Sequence, residues 1–446
     1  MKLLILFILI TLSYSSSCES NNDCPSNNFC DKGKCAHKYL FPLSGMEILG
    51  TLLIFVCSAL ANAGGQGGGP LMTLILISIF KYDTHIALPM VQLIILGGSF
   101  IGFILKVHVR HPTRSRPVID YYILLLFTPP LLLGTTIGVL LGFIFPAWLI
   151  LVLLTLVLIW VTYTCAEISI KLIHKENAEK RKIADNTIVT GNYEDLNAYE
   201  KLLEANNDLK KIIDSEKKWF PLTPIIIFLG VYAFAIITFF LRGSPSSPSI
   251  IGVDHCSGIY WVINCVVFIG FVGLTGFVVW FVVADARKKQ VLGYDFDDCD
   301  VVWKSKPAIV CVISGILAGI GASLLSIGGA LVLGPIMLRL GLRSEVSTST
   351  SRAIVVLTSS ISIIQYSIAG KLEMIYGLWF FTFSLLGSVL GILAVKALVD
   401  QYNRGSIVVI VLTILMGLCA ILTPSYGIIE LTSQNSSEIG LRSFCS

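Results

Sequence analysis

Residues 60 to 76 read LANAGGQGGGPLMTLIL, with five glycines and one proline inside a long apolar run. Glycine and proline are unfavourable in the interior of a helix, so the stretch predicts that one helix ends here and another begins. In lipid, such a break frees N–H and C=O groups that cost several kcal/mol each when they stay unpaired. Helix breaks are therefore retained in membranes where they line a cavity or a ligand.

The composition of the whole chain is that of a polytopic membrane protein. Of its 446 residues, 55% are hydrophobic and 13% are charged, and the mean hydropathy is +0.81. A water-soluble domain of this size could not tolerate those values. The formal net charge of +4 is small and spread along the loops, which argues against nucleic acid and makes the lipid bilayer the expected partner.

The N-terminus MKLLILFILITLSYSSSC is typical of a secretory signal peptide, with a lysine, an apolar core of about ten residues and a serine run. The following head segment carries Cys18, Cys24, Cys30 and Cys35 among polar residues, with almost nothing apolar to bury. In an oxidising compartment two disulfides would hold it together, and a metal site is the alternative. Whether the head binds a ligand stays open.

Ten segments approach or exceed the roughly 20 apolar residues that cross a hydrocarbon core of about 30 Å. They are 46–63, 84–105, 119–145, 146–166, 221–241, 258–284, 306–327, 347–369, 375–397 and 407–424. Two further apolar pieces, 70–80 and 331–340, are only about half as long. Each of these short pieces follows directly on a Gly-rich break.

Flanking charges set the orientation, because Lys and Arg favour the cytoplasmic side in short loops. The signal peptide puts residue 40 outside, and the basic loops 106–117 and 286–290 should lie inside. Both conditions hold if segment 46–63 runs from the extracytoplasmic face into the membrane and segment 70–80 returns to that face.

The predicted organisation of the chain follows from this orientation. It is a signal peptide (1–17), a Cys-rich extracytoplasmic segment (18–40), a first transmembrane repeat (41–166), a charged cytoplasmic linker (167–220), two connecting transmembrane helices (221–284), a cytoplasmic loop (285–305), a second transmembrane repeat (306–424) and an extracytoplasmic tail (425–446) with a glycosylation sequon at Asn435.

The cytoplasmic linker contains apolar residues at helical spacing. They are Leu196, Tyr199, Leu203, Leu209 and Ile213. This spacing predicts an amphipathic helix. Docking against the membrane domain, self-pairing and a solvated tether are all open interpretations of it.

The second half of the chain contains a counterpart of the opening stretch. In LLSIGGALVLGPIML (324–338), Gly328 and Gly329 match Gly67 and Gly68 at a distance of 261 residues. A full apolar helix precedes each match, and a half-length piece and a polar turn follow it. The predicted orientation makes the copies inverted. The expected fold is therefore all-α, a polytopic transmembrane bundle of two inverted repeats, each with a Gly-broken helix, plus a small disulfide-rich N-terminal segment.

Inverted repeats with interrupted helices are the architecture of many secondary transporters, whose substrate lies near the midplane at the two breaks. A half-helix that begins after the glycines presents free N–H groups and a positive dipole end. Two such ends facing each other would form an anion site. Close helix packing is the alternative role for Gly-rich membrane segments.

The stretches GGQGGG (64–69) and SIGGALVLGPIMLRLGLRSEVSTSTS (326–351) resemble the sulfite exporter TauE/SafE family. Its second-half pattern is a Gly cluster, an apolar run that ends in Gly-Pro, and a Ser/Thr/Ala-rich helix start. The resemblance covers the membrane part but not the head. It implies a transporter of sulfur-containing anions such as sulfite or organosulfonates, coupled to an ion gradient. Two departures are Pro70 directly after the glycines and Ala330 in place of a third glycine.

Candidate substrate-binding residues surround the two breaks: Gln66, Gly67, Gly68, Gly69, Ser326, Gly328, Gly329, Ser349, Thr350 and Arg352. Hydroxyls and a guanidinium are suitable donors to sulfite or sulfonate oxygens, the guanidinium through a bidentate fork. Arg352 lies in an apolar span, where an ionisable group usually has a functional reason; snorkelling to the headgroups is the alternative. Gln92 and Gln365 also lie at membrane depth, where they line the pathway or tie helices together.

The sequence shows no hydrolytic or redox constellation and no phosphate-binding loop, so we expect neither an enzyme nor a cofactor. The predicted function is a multi-pass transporter of a small anionic substrate in the plasma membrane or another membrane of the secretory pathway. Homo-oligomerisation stays open. The alternative is a cell-surface receptor or sensor that uses the Cys-rich head and the cytoplasmic linker.

Overall fold

The computed structural model describes residues 28–31, 34–37, 40–65, 67–111, 113–184, 207–243, 249, 252–253, 256–294, 301, 303–402 and 406–433. Ten helices within these ranges are long and apolar enough to cross a membrane, which confirms the prediction of a helical membrane bundle. The helices are α1 (Gly45–Ala63), α2 (Gly69–Ser78), α3 (Thr84–Val107), α4 (Tyr121–Ile144), α5 (Ala147–Ala184), α6 (Asn207–Glu216), α7 (Leu222–Arg242), α8 (Gly258–Val291), α9 (Ser305–Leu324), α10 (Ala330–Arg339), α11 (Ser344–Ile368), α12 (Met374–Tyr402) and α13 (Ser406–Ser433).

A short hairpin precedes the helices. Strand β1 (Asn28–Asp31) pairs antiparallel with β2 (Lys34–His37) and places Cys30 opposite Cys35. Cys18 and Cys24 lie outside the described residues, so the disulfides of the head stay a prediction. In the turn before α8, Cys256 is disulfide-bonded. The free cysteines of the described segments are Cys57, Cys165, Cys265, Cys311 and Cys419.

The most extensive helix pairs join the first half of the chain to the second. Helix α1 packs along α12, α4 along α9, α3 along both α12 and α11, and α5 along α13. Glycines bring two of these pairs into backbone contact: a Cβ on Gly391 would lie 1.9 Å from the Ala59 carbonyl oxygen, and one on Gly134 would lie 2.2 Å from that of Ile316. In a membrane, where lipid competes for apolar side chains, such close approach is a main source of helix association.

Two short apolar helices, α2 and α10, interrupt this bundle at corresponding places. Between α1 and α2 the chain turns through left-handed backbone conformations at Gly65 and Gly67, with φ of +77° and +82°. Between α9 and α10 it does the same at Ser326 and Gly328, with φ of +49° and +68°. Glycine adopts these angles without a steric cost. Ser326 adopts one despite its side chain, so its surroundings must hold it there.

Helix α5 extends well beyond residue 166, where the predicted membrane span ends. It continues to Ala184 through ISIKLIHKENAEKRKIA. Ala, Glu, Lys and Arg are strong helix formers, so loss of hydropathy ends the span without ending the helix. The first part of the charged linker is therefore a continuation of α5.

The last part of the linker is helix α6, which is docked on the membrane domain. Leu209 is 1% exposed, and the Glu216 carboxylate lies 2.8 Å from Nζ of Lys289 on α8. The Tyr294 hydroxyl donates to Glu216, and burial together with that carboxylate raises the pKa of Tyr294. This segment is not a free tether. The predicted helix positions at 196, 199 and 203 lie outside the described residues.

Candidate functional site

The two helix breaks meet in the interior of the bundle. A Cβ added to Gly69, the first residue of α2, would lie 1.8 Å from the Ser326 carbonyl oxygen of the other break. Residues 67–77 and 321–335 are buried throughout. The first residue of α2 therefore lies against the turn that precedes α10, in the buried interior of the bundle. Gln66, the remaining candidate of the first break, lies outside the described residues.

Helix α3 contacts both breaks. The Ser326 hydroxyl donates to the Leu88 carbonyl oxygen at 2.9 Å, which fixes the second break against the first third of α3. Farther along the same helix, the Ile95 side chain contacts the first break: a Cβ added to Gly67 would lie 2.8 Å from it. The segment of α3 between Leu88 and Ile95 is thus placed between the two breaks.

Helix α11 contacts both breaks in the same manner. A Cβ on Gly65 would lie 2.8 Å from the Thr348 carbonyl oxygen, and one on Gly329 would lie 3.3 Å from the Thr358 methyl group. The segment of α11 between Thr348 and Thr358 therefore also lies between the breaks. Helices α3 and α11 form a frame around them.

Arg352 lies within that segment of α11 and points into the protein. Its side chain is 3% exposed, so the snorkelling alternative is wrong. Nη2 donates to the carbonyl oxygens of Asn62 and Ala63 at 2.9 and 3.0 Å, which are the last residues of α1. A cation at a helix C-terminus is favourable. Its Nε and Nη1 atoms are buried without a hydrogen-bond partner.

The neighbouring hydroxyls of α11 divide into two kinds. Thr350, 0% exposed, accepts a hydrogen bond from the backbone N–H of Asp120 at 3.1 Å, which ties α11 to the start of α4. The hydroxyls of Ser349 and Ser351 are equally buried and have no partner. Of the predicted hydroxyl ligands, Ser349 is thus available, whereas Thr350 and Ser326 already hold the fold together.

Gln92 is one of the glutamines that were predicted at membrane depth, either to line the pathway or to tie helices together. It is fully buried on α3, between Leu88 and Ile95, and its Nε2 donates to the Ala322 carbonyl oxygen at 2.6 Å. Its Oε1 has no partner. Gln92 lies eight residues after the start of α3, and Arg352 lies eight residues after the start of α11. This shared offset was the signal in the sequence that could have paired them.

The chain is similar over most of its length to curated proteins of Arabidopsis thaliana. It is 26% identical over 413 residues to Sulfite exporter TauE/SafE family protein 3, covering 91% of this chain and 84% of that protein. It is 27% identical over 398 residues to family protein 2, covering 87% and 84%. The predicted resemblance to the sulfite exporter TauE/SafE family is confirmed. No family model matches the chain, and no solved structure matches it.

The resemblance to TauE/SafE proteins and the ten apolar helices agree with each other. The chain is a multi-pass integral membrane protein, and its relatives are named as exporters, which points away from an enzyme. In this TauE/SafE-like bundle, the Arg352 guanidinium lies at the first of the two buried breaks, and Ser349, three residues earlier on α11, lies on the same side of that helix as Arg352. Such an arrangement of donors around a fixed positive charge can bind an oxyanion.

Proposed function

We propose that the protein is a secondary transporter of small anions, sulfite or organosulfonates, with its site at the two Gly-rich breaks. The observation that carries the proposal is Arg352. A buried cation without a counter-ion is costly in a membrane interior, and no carboxylate of the described segments offsets this charge. An anion bound to Nε and Nη1 would supply the missing charge and two missing acceptors.

Many secondary transporters are built from two structurally related halves, and several helix contacts support such a relation in this bundle. If α1 to α5 correspond to α9 to α13, the pairing of α1 with α12 corresponds to that of α9 with α4. Exchanging the two halves leaves the pairs α3–α11 and α5–α13 unchanged, because each pair consists of two matching helices. Arg352 caps the end of α1 from α11, and Gln92 caps the end of α9 from α3. Such an exchange of partners is what a pseudo-two-fold axis between the halves would produce, and the charge pattern of the loops supplies the argument that this axis lies in the membrane plane.

The inverted arrangement makes a prediction about the C-terminal tail. With residue 40 outside and α2 returning to the face that α1 left, the tail lies on the non-cytoplasmic side. We expect Asn435 to carry a glycan and an epitope after residue 446 to be inaccessible from the cytosol. Glycosidase treatment and protease protection of sealed vesicles measure both. An epitope that is cleaved from the cytosolic side would rule out the proposed inversion.

The transport function itself is tested by uptake into proteoliposomes. We expect saturable uptake of sulfite or of methanesulfonate that depends on an imposed ion gradient, and little uptake by liposomes that contain Arg352→Met. A deletion of residues 18–37 serves as the control for the receptor alternative, because a transporter should retain its flux without the head. Proteoliposomes that take up none of these anions, under any imposed gradient, would overturn the proposal.

A further inference from the structure

The side of α11 that faces the two breaks carries polar residues along most of the helix. Thr348 contacts the first break and Thr358 the second. Both belong to a series of residues spaced alternately by three and four positions, which places them on one face of an α-helix. The members of this series, here called the α11 seam, are Thr348, Ser351, Val355, Thr358, Ser362 and Gln365. All of them except the valine are polar.

Three side chains of the seam are buried without a hydrogen-bond partner among the residues that the structure describes. Ser351 and Ser362 are 1% and 0% exposed, and neither hydroxyl bonds a neighbour. Gln365 is 6% exposed, and both Nε2 and Oε1 lack a partner. Thr358, in contrast, donates to a carbonyl oxygen four residues earlier, the usual way in which a helix satisfies a hydroxyl. Because buried polar atoms without partners are unfavourable, the other three point to an occupant.

The corresponding side of α3 shows that packing does not require these polar groups. Shifting the seam by the 260 residues that separate the starts of α3 and α11 gives its counterpart on α3. The counterparts of Ser351, Thr358, Ser362 and Gln365 are Val91, Gly98, Gly102 and Leu105. None of these four is polar, and the valine and both glycines are buried as the seam is. The hydroxyls and the amide of α11 therefore serve another purpose.

We propose that the α11 seam is one wall of the path along which the anion crosses the membrane domain, with Ser351, Ser362 and Gln365 as successive hydrogen-bonding positions. This inference rests on the proposed transport function and adds its route. Hydroxyl and amide N–H groups replace part of the hydration shell of a moving oxyanion. Because they carry no charge, they hold it less tightly than a guanidinium does, which lets it move on.

The two ends of the seam lie at different depths. Ser351 directly precedes Arg352, beside the first break, and Gln365 lies three residues before the end of α11. At 1.5 Å per residue they are about 21 Å apart along the helix, against a hydrocarbon core of about 30 Å. The charge pattern of the loops places the Gln365 end toward the extracytoplasmic side. One small anion cannot contact both ends, so it binds at the guanidinium and passes along the seam.

Uptake and equilibrium binding of methanesulfonate, measured on the same purified variants, test this route. Gln365→Leu removes both unpartnered atoms at the end of the seam that is farther from Arg352. We expect its uptake rate into proteoliposomes, per folded transporter, to fall about tenfold, the effect of one buried hydrogen bond on the barrier. Its Kd should stay within about twofold of the wild-type value, because the guanidinium is intact.

Two serine variants provide a matched comparison on the same helix. Ser362→Ala should lower the uptake rate about threefold without changing the Kd, since it removes one neutral hydroxyl from the seam. Ser367→Ala is its control. Ser367 is also buried, but it lies about 160° around the helix from Ser351, on the side away from the seam. We expect wild-type uptake and affinity from this control.

Chemical labelling tests the route without measuring transport. Sulfonatoethyl methanethiosulfonate is a thiol reagent that is itself a sulfonate, and we expect it to modify Ser362→Cys in proteoliposomes and to react more slowly when methanesulfonate is present. Ser367→Cys should stay unmodified. Peptide mass spectrometry locates the modified residue, so the native cysteines do not interfere.

The outcomes separate this inference from the proposed function. If the wild type transports methanesulfonate but both seam variants keep its uptake rate, or if residue 362 is not labelled, buried water occupies the seam and the inference is wrong, although transport stands. Equal losses of affinity and uptake in Gln365→Leu would also overturn it. If the wild type neither binds nor takes up the anion, the proposed function fails as well. Should Gln365→Leu not fold, the two serine variants and the labelling decide.

Discussion

Arg352→Met is expected to lower anion affinity by about a hundredfold or more, because it removes the positive charge beside the first break and both of its unpaired donors, and charged hydrogen bonds contribute about 1.5–3 kcal/mol each. Arg352→Lys keeps the charge but loses the planar fork, so we expect a smaller loss, about tenfold. Both losses are measured on the purified variants, by binding of radiolabelled anion or by its competition with a fluorescent ligand. Arg339→Met is the matched control, since Arg339 lies at the surface, where it pairs with Glu167.

A structural contribution of Arg352 must be separated from its role in binding. Its Nη2 bonds the last two carbonyl oxygens of α1, and leaving them without this donor costs about 1–3 kcal/mol. We therefore expect Arg352→Met to melt at a lower temperature than the wild type while still forming a monodisperse particle. A folded Arg352→Met protein with wild-type anion affinity would show that the site lies elsewhere.

Gly69→Ala is expected to abolish folded protein. The added Cβ would lie 1.8 Å from the Ser326 carbonyl oxygen, which belongs to the backbone and cannot rotate away. The two breaks would have to separate, and overpacking of this kind costs about 3 kcal/mol or more in a rigid interior. Size-exclusion chromatography of a fluorescent fusion before and after heating measures the loss.

Gly276→Ala provides the comparison for that variant. Gly276 lies in the transmembrane helix α8, and a Cβ there meets nothing within 4 Å. We expect this protein to elute and melt as the wild type does. If Gly69→Ala behaved in the same way, the close contact between the two breaks would not exist in the membrane.

Much of the fold was predictable because its signals are local. A run of apolar residues identifies a membrane helix by itself, and the glycines at 64–69 identify a break by themselves. Arg352 was conspicuous for the same reason, as a charge in an apolar span. These inferences need no knowledge of which helix packs against which.

The role of Gln92 could not be read in this way, because it depends on a contact between residues 230 positions apart in the chain. A buried glutamine more often ties two helices together than it binds a ligand, and only the position of Ala322 shows that one end of the amide is used and the other is not. The docking of α6 is similar. Its amphipathic spacing predicts a buried face, but the buried partner Lys289 lies on a distant helix.

The exchange of packing partners between the halves has a consequence for synthesis. The Asn62 carbonyl oxygen accepts a hydrogen bond from Arg352, a side chain 290 residues downstream. Helix α12, along which α1 packs, is synthesised later still. At about 5–20 residues per second, a ribosome needs roughly 15–60 s to make the intervening chain. During that interval α1 to α5 are made and inserted, and the surfaces that later contact the second half of the chain face lipid. A stop codon in the linker would therefore leave a fragment for membrane quality control to remove, and supplying the missing half as a separate polypeptide would rescue it.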